Sequence, residues 1–435
     1  MGSKEWVEKL LSVNKDSLSE GEERENDRPV VLVVGRDYFS NLAVARSVGK
    51  AGYRSEVLHV YDTTVPRVIL QLLFIPRSEM FSKYVSRYYP CITQRDGEEI
   101  YRALCRYGDQ AQRKLLIPTD DLAAAVVDTH YDALKTRYII QNVKDTQGAI
   151  CELMDKRVQK ELAQRFGIPV VNGRAIRVCN GSFHIPSGVR YPCFIKPNVS
   201  MTAAKSTIQA CQNREELEKA LSSFAPQKEL DVMVEDYVKI ATEYTLLGIS
   251  AGDTAIAPAF YTANKDGDKE RRGATLVGRT LSCQEQAVLI EKLRRFVSSL
   301  GFTGLYNIDL IEDAAGHIYF TEINLRYAAA GCVFAQSGLN LPGMYADHVF
   351  SGKPIDTDCE NSRPGLRFAA ERGLLDCYTK GIYTRSQIRK IMDEADVLLM
   401  QDADDPAPYE NFKKFYRRVL PLKIRKIVTD AVKRH

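Results

Sequence analysis

Apolar positions near the start of the chain fall into short continuous runs separated by an amphipathic stretch. The run at 30–34 precedes a helical pattern that ends at Gly52, and a second run follows at 55–60. Continuous apolar runs are typical of strands buried on both faces, and a helix between two of them predicts a parallel crossover. We therefore expect the chain to open with a parallel α/β sheet.

Polar side chains follow another apolar run, at 114–118, in the order Thr119, Asp120 and Asp121. Open α/β sheets bind ligands just past the carboxyl ends of their strands, which makes these residues candidate ligand contacts. The alternative is that Thr119 and Asp120 cap the helix that follows. The sequence favours neither interpretation.

The middle of the chain mixes helical and strand patterns, which predicts α+β structure after the first sheet. Its last two predicted strands, 304–312 and 317–325, flank a turn at 313–316. Strand side chains alternate between faces, so Glu322 and Asn324 lie on one face, which also carries Arg326.

Two carboxylates converge on this polar face. The turn pairs Asp309 with Phe320 and places Glu322 diagonally across from Asp309. With the amide oxygen of Asn324, they form a set of hard oxygen ligands, and magnesium takes a few such ligands together with nucleotide phosphates. The pattern predicts a nucleotide-metal site, whereas a hairpin with a solvated polar face is the alternative.

Composition indicates a globular chain of two or three domains. Of the 435 residues, 45% are hydrophobic and 27% are charged, as in ordinary globular proteins. No segment reaches the roughly 18 apolar residues of a spanning helix, and no secretory signal opens the chain. We expect a cytoplasmic protein whose ten cysteines, which include no C-x-x-C pair, stay reduced.

The net charge of +4 conceals a basic tail on a mildly acidic body, because nine of the last 24 residues are lysine or arginine. A nucleic-acid binder would carry basic charge through its folded domain, so we expect no nucleic-acid partner. The tail is a candidate for contact with a membrane surface or a protein. The alternative is a helix packed on the body, and Pro421 would interrupt a continuous interfacial helix.

The polar hairpin resembles the metal-binding end of ATP-grasp enzymes, in which an acid is followed thirteen positions later by Glu-x-Asn. The segment from Glu322 to Arg326 is similar to the E-x-N-x-R form of carbamoyl-phosphate synthetase large chains and related carboxylate-amine ligases. The resemblance implies that Asp309, Glu322 and Asn324 hold two magnesium ions, with manganese as an alternative metal. It implies that Arg326 steadies the transferred phosphoryl group or the acyl phosphate.

Two lysines upstream resemble the family's phosphate-binding lysines. Lys156 follows Asp155 near the start of a helix predicted over 149–166, and Lys196 lies in Phe-Ile-Lys-Pro at the end of a short strand. Taken singly, each is also compatible with a surface lysine. The resemblance implies that both contact ATP and that Lys196 takes part in catalysis.

A later segment resembles the part of the family that holds the nucleoside. The implied contacts are Glu235, Asp236, Tyr237 and Val238 for the adenine edge and Glu243 for the ribose. An ordinary strand with one exposed acid is the alternative for Glu235.

The phosphate-covering loop departs from the family pattern. It is glycine-rich in many relatives but contains no glycine at 198–205, where Ser200, Thr202 and Lys205 would have to donate to the phosphates. This difference keeps open a partner-activated enzyme or a regulatory ATP-binding protein without turnover. The segments 82–89 and 404–408 resemble a subgroup that includes D-aspartate ligases.

The resemblance implies a ligase that activates a small carboxylate, such as an amino acid, as an acyl phosphate and couples it to an amine. A thiol acceptor is the alternative within the enzymes, and a homodimer is an option that the sequence leaves open. The implied organisation is a flexible segment at 1–28, a parallel-sheet pre-ATP-grasp domain at 29–140, a two-lobed ATP-grasp body at 141–350 (small lobe about 155–235, large lobe about 236–350) and a helical extension with the basic tail at 351–435.

Overall fold

The computed structural model describes residues 12–15, 28–62, 77–93, 97–199, 208–224, 229–264, 275–355 and 363–418. Within these ranges the chain forms three sheets, of six, five and eight strands. The first sheet is mostly parallel and the other two are mostly antiparallel, with helices packed against them. The predicted combination of α/β and α+β structure is confirmed.

The first sheet has the spatial order β1-β4-β3-β2-β5-β6, and β1 alone of these strands runs antiparallel to its neighbour. All six residues of its central strand β2 are buried, as expected for a continuous apolar run. Its strands are β1 (Val13–Asn14), β2 (Val30–Gly35), β3 (Arg54–Asp62), β4 (Val85–Thr93), β5 (Lys114–Pro118) and β6 (Tyr138–Ile140).

The helices of this first unit are α1 (Tyr38–Lys50), α2 (Glu98–Tyr107), α3 (Asp121–Thr129) and α4 (Tyr131–Leu134). Asp120 caps α3, since its carboxylate accepts a hydrogen bond from the Ala123 amide at 3.0 Å. Thr119 is buried and donates to Asn41 at 2.7 Å. The capping interpretation is therefore confirmed for Asp120, while Thr119 belongs to the interior of the first unit.

The chain leaves the first sheet through a short strand, β7 (Asn142–Val143), and two helices, α5 (Ala149–Leu153) and α6 (Lys156–Arg165). The second sheet is antiparallel in the order β11-β10-β12-β8-β9. It packs against α7 (Arg214–Ser222) around its own apolar core. Its strands are β8 (Gly173–Cys179), β9 (Ser182–Phe183), β10 (Cys193–Pro197), β11 (Gln209–Cys211) and β12 (Glu229–Asp236).

The third sheet has the order β17-β16-β13-β14-β15-β18-β19, and β7 joins it beside β16. Two of its strands come from the C-terminal extension, so this extension contributes sheet as well as helix. The strands of the third sheet are β13 (Ile240–Ala251), β14 (Ala255–Asn264), β15 (Val277–Leu281), β16 (Phe302–Asp313), β17 (Ile318–Asn324), β18 (Arg367–Ala369) and β19 (Val397–Leu398). The helices of this later part of the chain are α8 (Ala287–Ser299), α9 (Cys332–Gln336), α10 (Leu341–Ser351), α11 (Glu371–Thr379), α12 (Arg385–Asp393) and α13 (407–418).

One apolar core joins the first unit to the later parts of the chain. Val44 of α1, Phe334 of α9, Tyr345 of α10 and Phe412 of α13 belong to the same buried cluster. This shared core places the start of α3 close to the end of β17. The four-part division drawn from the sequence stays a prediction.

The C-terminal extension is held on the first unit by a buried ion pair. Arg46 of α1 contacts Asp405 at 2.9 Å, and their side chains are 7% and 1% exposed. Beside it, Lys83 reaches Asp404 at 2.7 Å, and the Tyr84 hydroxyl also donates to Asp404. The segments 82–89 and 404–408 are therefore in contact, although their likeness to one subgroup stays a prediction.

Candidate functional site

Two of the three predicted metal ligands lie opposite each other on neighbouring strands. Asp309 of β16 pairs directly with Glu322 of β17, next to a register shift between Asp309 and Leu310. The predicted pairing of Asp309 with Phe320 is wrong, because Phe320 pairs with Leu310 beyond this irregularity. An irregularity of this kind inserts an extra residue on one strand and changes which side chains face each other. Here it brings the two acids closer than the diagonal arrangement would.

The carboxylate of Asp309 is oriented by two neighbours. The Thr245 hydroxyl of β13 donates to it at 2.7 Å, and the Asn324 amide nitrogen lies 3.5 Å from its second oxygen. A third contact fixes the backbone, because the Thr321 hydroxyl donates to the Asp309 carbonyl at 2.8 Å. The structure thus brings Asp309, Glu322 and Asn324 together, as predicted.

Glu322 forms an ion pair with Lys156 at 3.0 Å, and the Lys156 side chain is only 8% exposed. Burial opposes ionisation of Glu322, but the charges of Lys156, Lys196 and Arg326 outweigh it and lower the pKa of Glu322 to about 2. Glu322 is consequently a permanent anion at neutral pH.

Lys196 lies in the same region but has a different partner. Its ammonium contacts Glu235 at 2.9 Å, and the same carboxylate oxygen also accepts a hydrogen bond from Lys160. Burial opposes ionisation of Glu235, yet the two lysines lower its pKa below the usual value. Glu235 therefore serves as a buried counterion in this structure, and its implied contact with adenine stays a prediction.

A glycine allows this cluster to pack tightly. Gly173 of β8 is the cross-strand partner of Glu235, and a Cβ atom there would lie 2.7 Å from Glu235 Cγ. Such a contact is too short for two carbon atoms, so a larger residue would displace the carboxylate.

The start of α6 is built to present Lys156. Asp155 caps the helix by accepting hydrogen bonds from the amides of Arg157 and Val158 at 2.8 and 3.1 Å. The Asn198 side chain donates to Asp155 at 2.7 Å, and the Asn198 carbonyl accepts from the Lys156 amide at 3.2 Å. The end of β10, which carries Lys196, is thereby attached to the helix that carries Lys156.

Gln159 connects the same helix to the metal-binding strand. Its side-chain oxygen accepts from the Ile323 amide at 3.0 Å, and its nitrogen donates to the Ile323 carbonyl at 2.9 Å. This pair of hydrogen bonds occupies the backbone between Glu322 and Asn324. Gln159 thus holds β17 in a fixed position relative to the helix that carries Lys156.

The Arg326 side chain contacts the first unit, which contains the first sheet. Its Nε lies 2.6 Å from a carboxylate oxygen of Asp121, the first residue of α3. Burial disfavours the charged guanidinium, but Asp121 and the neighbouring acids raise the pKa of Arg326 above its ordinary value. Of the three polar residues that follow β5, Asp121 is thus the one that contacts the candidate site.

Two residues of the segment predicted to contact the nucleoside have other partners in this structure. Asp236 forms an ion pair with Arg190, and the Tyr237 amide donates to the Pro192 carbonyl at 3.3 Å. The Tyr237 side chain is exposed, Val238 is half-buried, and Glu243 is half-buried on β13. Lys205 lies outside the described residues.

A cleft opens beside these groups. Its lining residues include Asp121, Lys156, Glu322, Asn324 and Arg326. Within the described ranges, no group of three or more His, Cys, Asp or Glu side chains could hold a metal by itself. Two carboxylates and an amide nevertheless fit magnesium, because this ion keeps several waters and takes phosphate oxygens as further ligands.

Sequence reasoning missed Lys160, Gln159, Asn198 and Thr245. Lys160 had a usable signal, because residues four apart share one face of a helix and Lys156 was already a candidate. The other three act through backbone and side-chain contacts across elements far apart in the chain, which a single sequence does not display.

None of the helices in the described part of the chain is long and apolar enough to span a membrane. The basic tail beyond residue 418 lies outside the described residues.

Comparison with known proteins establishes the fold. A family model for the C-terminal part of D-ala D-ala ligases matches residues 162–326, which include every predicted lysine and metal ligand except Lys156. No curated protein sequence matches the chain.

Three solved structures are similar in fold. Biotin carboxylase from Campylobacter jejuni, in a β-γ-ATP complex, is 16% identical with a TM-score of 0.57, covering 78% of this chain and 74% of that one. L-amino acid ligase from Bacillus licheniformis is 12% identical with a TM-score of 0.54, covering 78% and 79%. The biotin carboxylase domain dimer of Hydrogenobacter thermophilus 2-oxoglutarate carboxylase, with MgADP and bicarbonate, is 16% identical with a TM-score of 0.57, covering 78% and 73%.

The chain therefore has the ATP-grasp fold, and the resemblance read from its motifs is confirmed at this level. Within that fold, residues 162–326 are similar to the D-ala D-ala ligase C-terminal family. The nearer likeness to carbamoyl-phosphate synthetases and D-aspartate ligases stays a prediction.

Proposed function

We propose that this protein is an ATP- and magnesium-dependent ligase that activates a small carboxylate as an acyl phosphate and joins it to an amine. The observation that carries the proposal is the direct pairing of Asp309 with Glu322 beside Lys156, with Lys196 nearby and Arg326 lining the same cleft. Two acids beside basic groups match the needs of a metal-bound polyphosphate. The ATP complex of one structural relative and the MgADP complex of another support this ligand.

Asp309, Glu322 and Asn324 are the residues that would hold magnesium. The hydrogen bond from Thr245 already orients Asp309, and the low pKa of Glu322 keeps that side chain ionised. When bound, magnesium neutralises part of the phosphate charge and orients the transferred group. The neutral amide of Asn324 limits the negative charge of the site, as suits a metal shared with phosphates.

ATP binding would change the ion-pair partners of the charged residues in the site. Without a ligand, Lys156 neutralises Glu322 and Lys196 neutralises Glu235, so that few buried charges lack a counterion. Phosphates would take the two lysines, and the metal would take the place of Lys156 at Glu322.

The chemistry proceeds in two displacements. An oxygen of the substrate carboxylate attacks the γ-phosphorus of ATP and ADP leaves, which forms an acyl phosphate. The nitrogen of the amine then attacks the acyl carbon, loses a proton and expels phosphate, which leaves an amide. Arg326 and Lys196 stabilise the negative charge that develops on the transferred phosphoryl group, mainly by preorganised electrostatics.

The nucleoside would be held by the segment between the second and third sheets. Glu235, Asp236, Tyr237 and Val238 are the proposed contacts for adenine and Glu243 for ribose, with Lys205 assigned to the phosphates by resemblance alone. The Tyr237 amide must leave the Pro192 carbonyl before it can read the base. A cytoplasmic location and a homodimer remain part of the same proposal.

The first experiment measures ADP release with magnesium and ATP across a panel of amino acids and small carboxylates, each with and without an amine. Glu322→Gln removes the charge proposed to bind the metal. Glu312→Gln is the matched control, because Glu312 belongs to the same hairpin but bonds to the Tyr244 hydroxyl. We expect release that needs both substrates, disappears in Glu322→Gln and survives in Glu312→Gln.

Two results would change the assignment. Release that requires a thiol in place of the amine would keep the ligase class but replace the acceptor. Magnesium-dependent ATP binding without ADP release over the whole panel would favour a regulatory protein, as the glycine-free loop permits.

A further inference from the structure

Lys160 is a buried lysine with two fixed partners. It lies on α6, one turn after Lys156, and is 6% exposed. Its ammonium donates to the Val171 carbonyl at 3.1 Å and to the Glu235 carboxylate. Desolvation by burial lowers the pKa of Lys160 despite the attraction of Glu235. Burying an ammonium group costs free energy, so a lysine buried at this point is a candidate for a specific role.

Glu235 is a single acid between two lysines. Lys160 and Lys196 both approach its Oε1, while its cross-strand neighbour on β8 is the uncharged Gly173. The adjacent Asp236 is occupied by Arg190. Lys160 and Lys196 are therefore the charges that face Glu235, and Lys156 acts on the cluster by repelling Lys160.

The two lysines differ in how firmly they are held. Lys160 has the Val171 carbonyl as a second partner, whereas Lys196 is the next-to-last residue of β10, just before the proposed phosphate-covering loop. If Lys196 turns to the phosphates of a nucleotide, Glu235 loses one of its two counterions. A buried carboxylate without a counterion would take up a proton.

We infer that Lys160 is a positioning residue that remains paired with Glu235 and keeps it ionised when a nucleotide takes Lys196. This inference rests on the proposed function, because it presupposes nucleotide binding in the cleft. Its consequence is that Lys196 can change partners without a compensating proton. The carboxylate of Glu235 then stays an acceptor for a hydrogen bond donated by the ligand.

The test is the number of protons exchanged when ADP binds in the presence of magnesium. Calorimetric titrations near pH 7.5 in buffers of different ionisation enthalpy give this number directly, and ADP avoids turnover. We expect almost no proton uptake for the unmodified protein or for Lys160→Arg. Lys160→Met should take up as much as one additional proton per nucleotide, and its affinity should fall as pH rises.

Lys292→Met is the matched control, because Lys292 is another lysine that donates to a backbone carbonyl, that of Gly167 at 3.0 Å. It should behave as the unmodified protein does. A purely structural role for Lys160 would weaken binding without changing the proton count. Adding Glu235→Gln to Lys160→Met should abolish the extra uptake, since no acid remains to titrate.

The outcomes separate the two proposals. ADP binding by Lys160→Met with an unchanged proton count would overturn the role of Lys160 and leave the proposed function standing. If Lys160→Met does not fold, proton uptake by the unmodified protein near pH 7.5 would by itself overturn that role, and its absence together with unchanged binding in Lys160→Arg would support it. Failure of the unmodified protein to bind ADP with magnesium would overturn both.

Discussion

Replacing Asp405 by asparagine should loosen the C-terminal extension from the first unit. The Asp405 carboxylate accepts from Arg46 at 2.9 Å, from the Ser82 hydroxyl at 2.6 Å and from the Lys83 amide at 2.9 Å. Arg46 also donates to the carbonyls of Met400 and Asp405. These contacts leave the Asp405 side chain 1% exposed, so its charge has no access to water as a substitute partner.

The size of the effect follows from the buried charge that remains. Removing one partner of a buried ion pair costs about 3–5 kcal/mol, because the other charge stays buried without a counterion. Asparagine keeps one oxygen for the donors around it, so we expect the lower end, about 3 kcal/mol. At 1.4 kcal/mol per factor of ten, this corresponds to about a 150-fold change in an equilibrium constant.

Amide hydrogen exchange is the suitable assay, because a multidomain chain need not unfold in one step and exchange reports local opening. Peptides covering residues 397–418 should exchange about 150-fold faster in Asp405→Asn. Asp404→Asn is the matched control, since its ion pair with Lys83 is half exposed on both sides and should be worth about 1 kcal/mol or less. Combining Arg46→Met with Asp405→Leu removes both charges and should exchange more slowly than Asp405→Leu alone, although the Ser82 hydroxyl and the Lys83 amide still lose their acceptor.

Equal acceleration of exchange by Asp405→Asn and Asp404→Asn would contradict this prediction. Exchange in the double variant as fast as in Asp405→Leu alone would also contradict it, because the cost would then not arise from an unpaired buried charge.

Two further predictions concern the acids Glu371 and Asp121. Burial raises the pKa of Glu371 to about 7, so its protonated form favours the fold. This protonation contributes about 3 kcal/mol to the free energy of unfolding. The contribution is complete below pH about 4.5 and is lost as pH rises through 7. Urea unfolding should therefore show Glu371→Gln gaining stability over the unmodified protein between pH 5 and 8, and a constant difference would contradict this. Asp121→Asn should lower kcat/KM for ADP release about tenfold or more, because Arg326 loses a charged hydrogen bond worth about 1.5–3 kcal/mol. Asp132→Asn, an exposed acid of α4, is its control, and equal activities would refute the role of Asp121.

The hairpin of β16 and β17 shows how much of the site the sequence pattern alone predicts. Strand alternation placed Glu322 and Asn324 on one face and brought Asp309 toward them, because side-chain direction in a strand follows from position in the chain. The exact pairing was wrong by the register shift beside Leu310. A register shift depends on contacts across the sheet, and no local pattern near residues 309–322 signals it.

The ion pairs of the site show what the sequence pattern alone does not reveal. Lys156 and Lys196 were found from short motifs, but their partners Glu322 and Glu235 come from other strands. The choice of partner depends on which side chains share a buried volume, and that volume is created only when the sheets pack.

Local chemistry along the chain therefore determined the class of fold and the acids suited to a metal, but not the break between α5 and α6, where the sequence predicts one helix over 149–166. Cap residues, apolar periodicity and strand alternation act over a few positions, so they can be read without tertiary structure. Tertiary structure alone decided that Arg326 meets Asp121, that Lys160 shares Glu235 with Lys196, and that Arg46 holds the C-terminal extension. Each of these contacts joins residues distant in sequence, and burial selects them because a charge removed from water must find its counterion inside the folded protein.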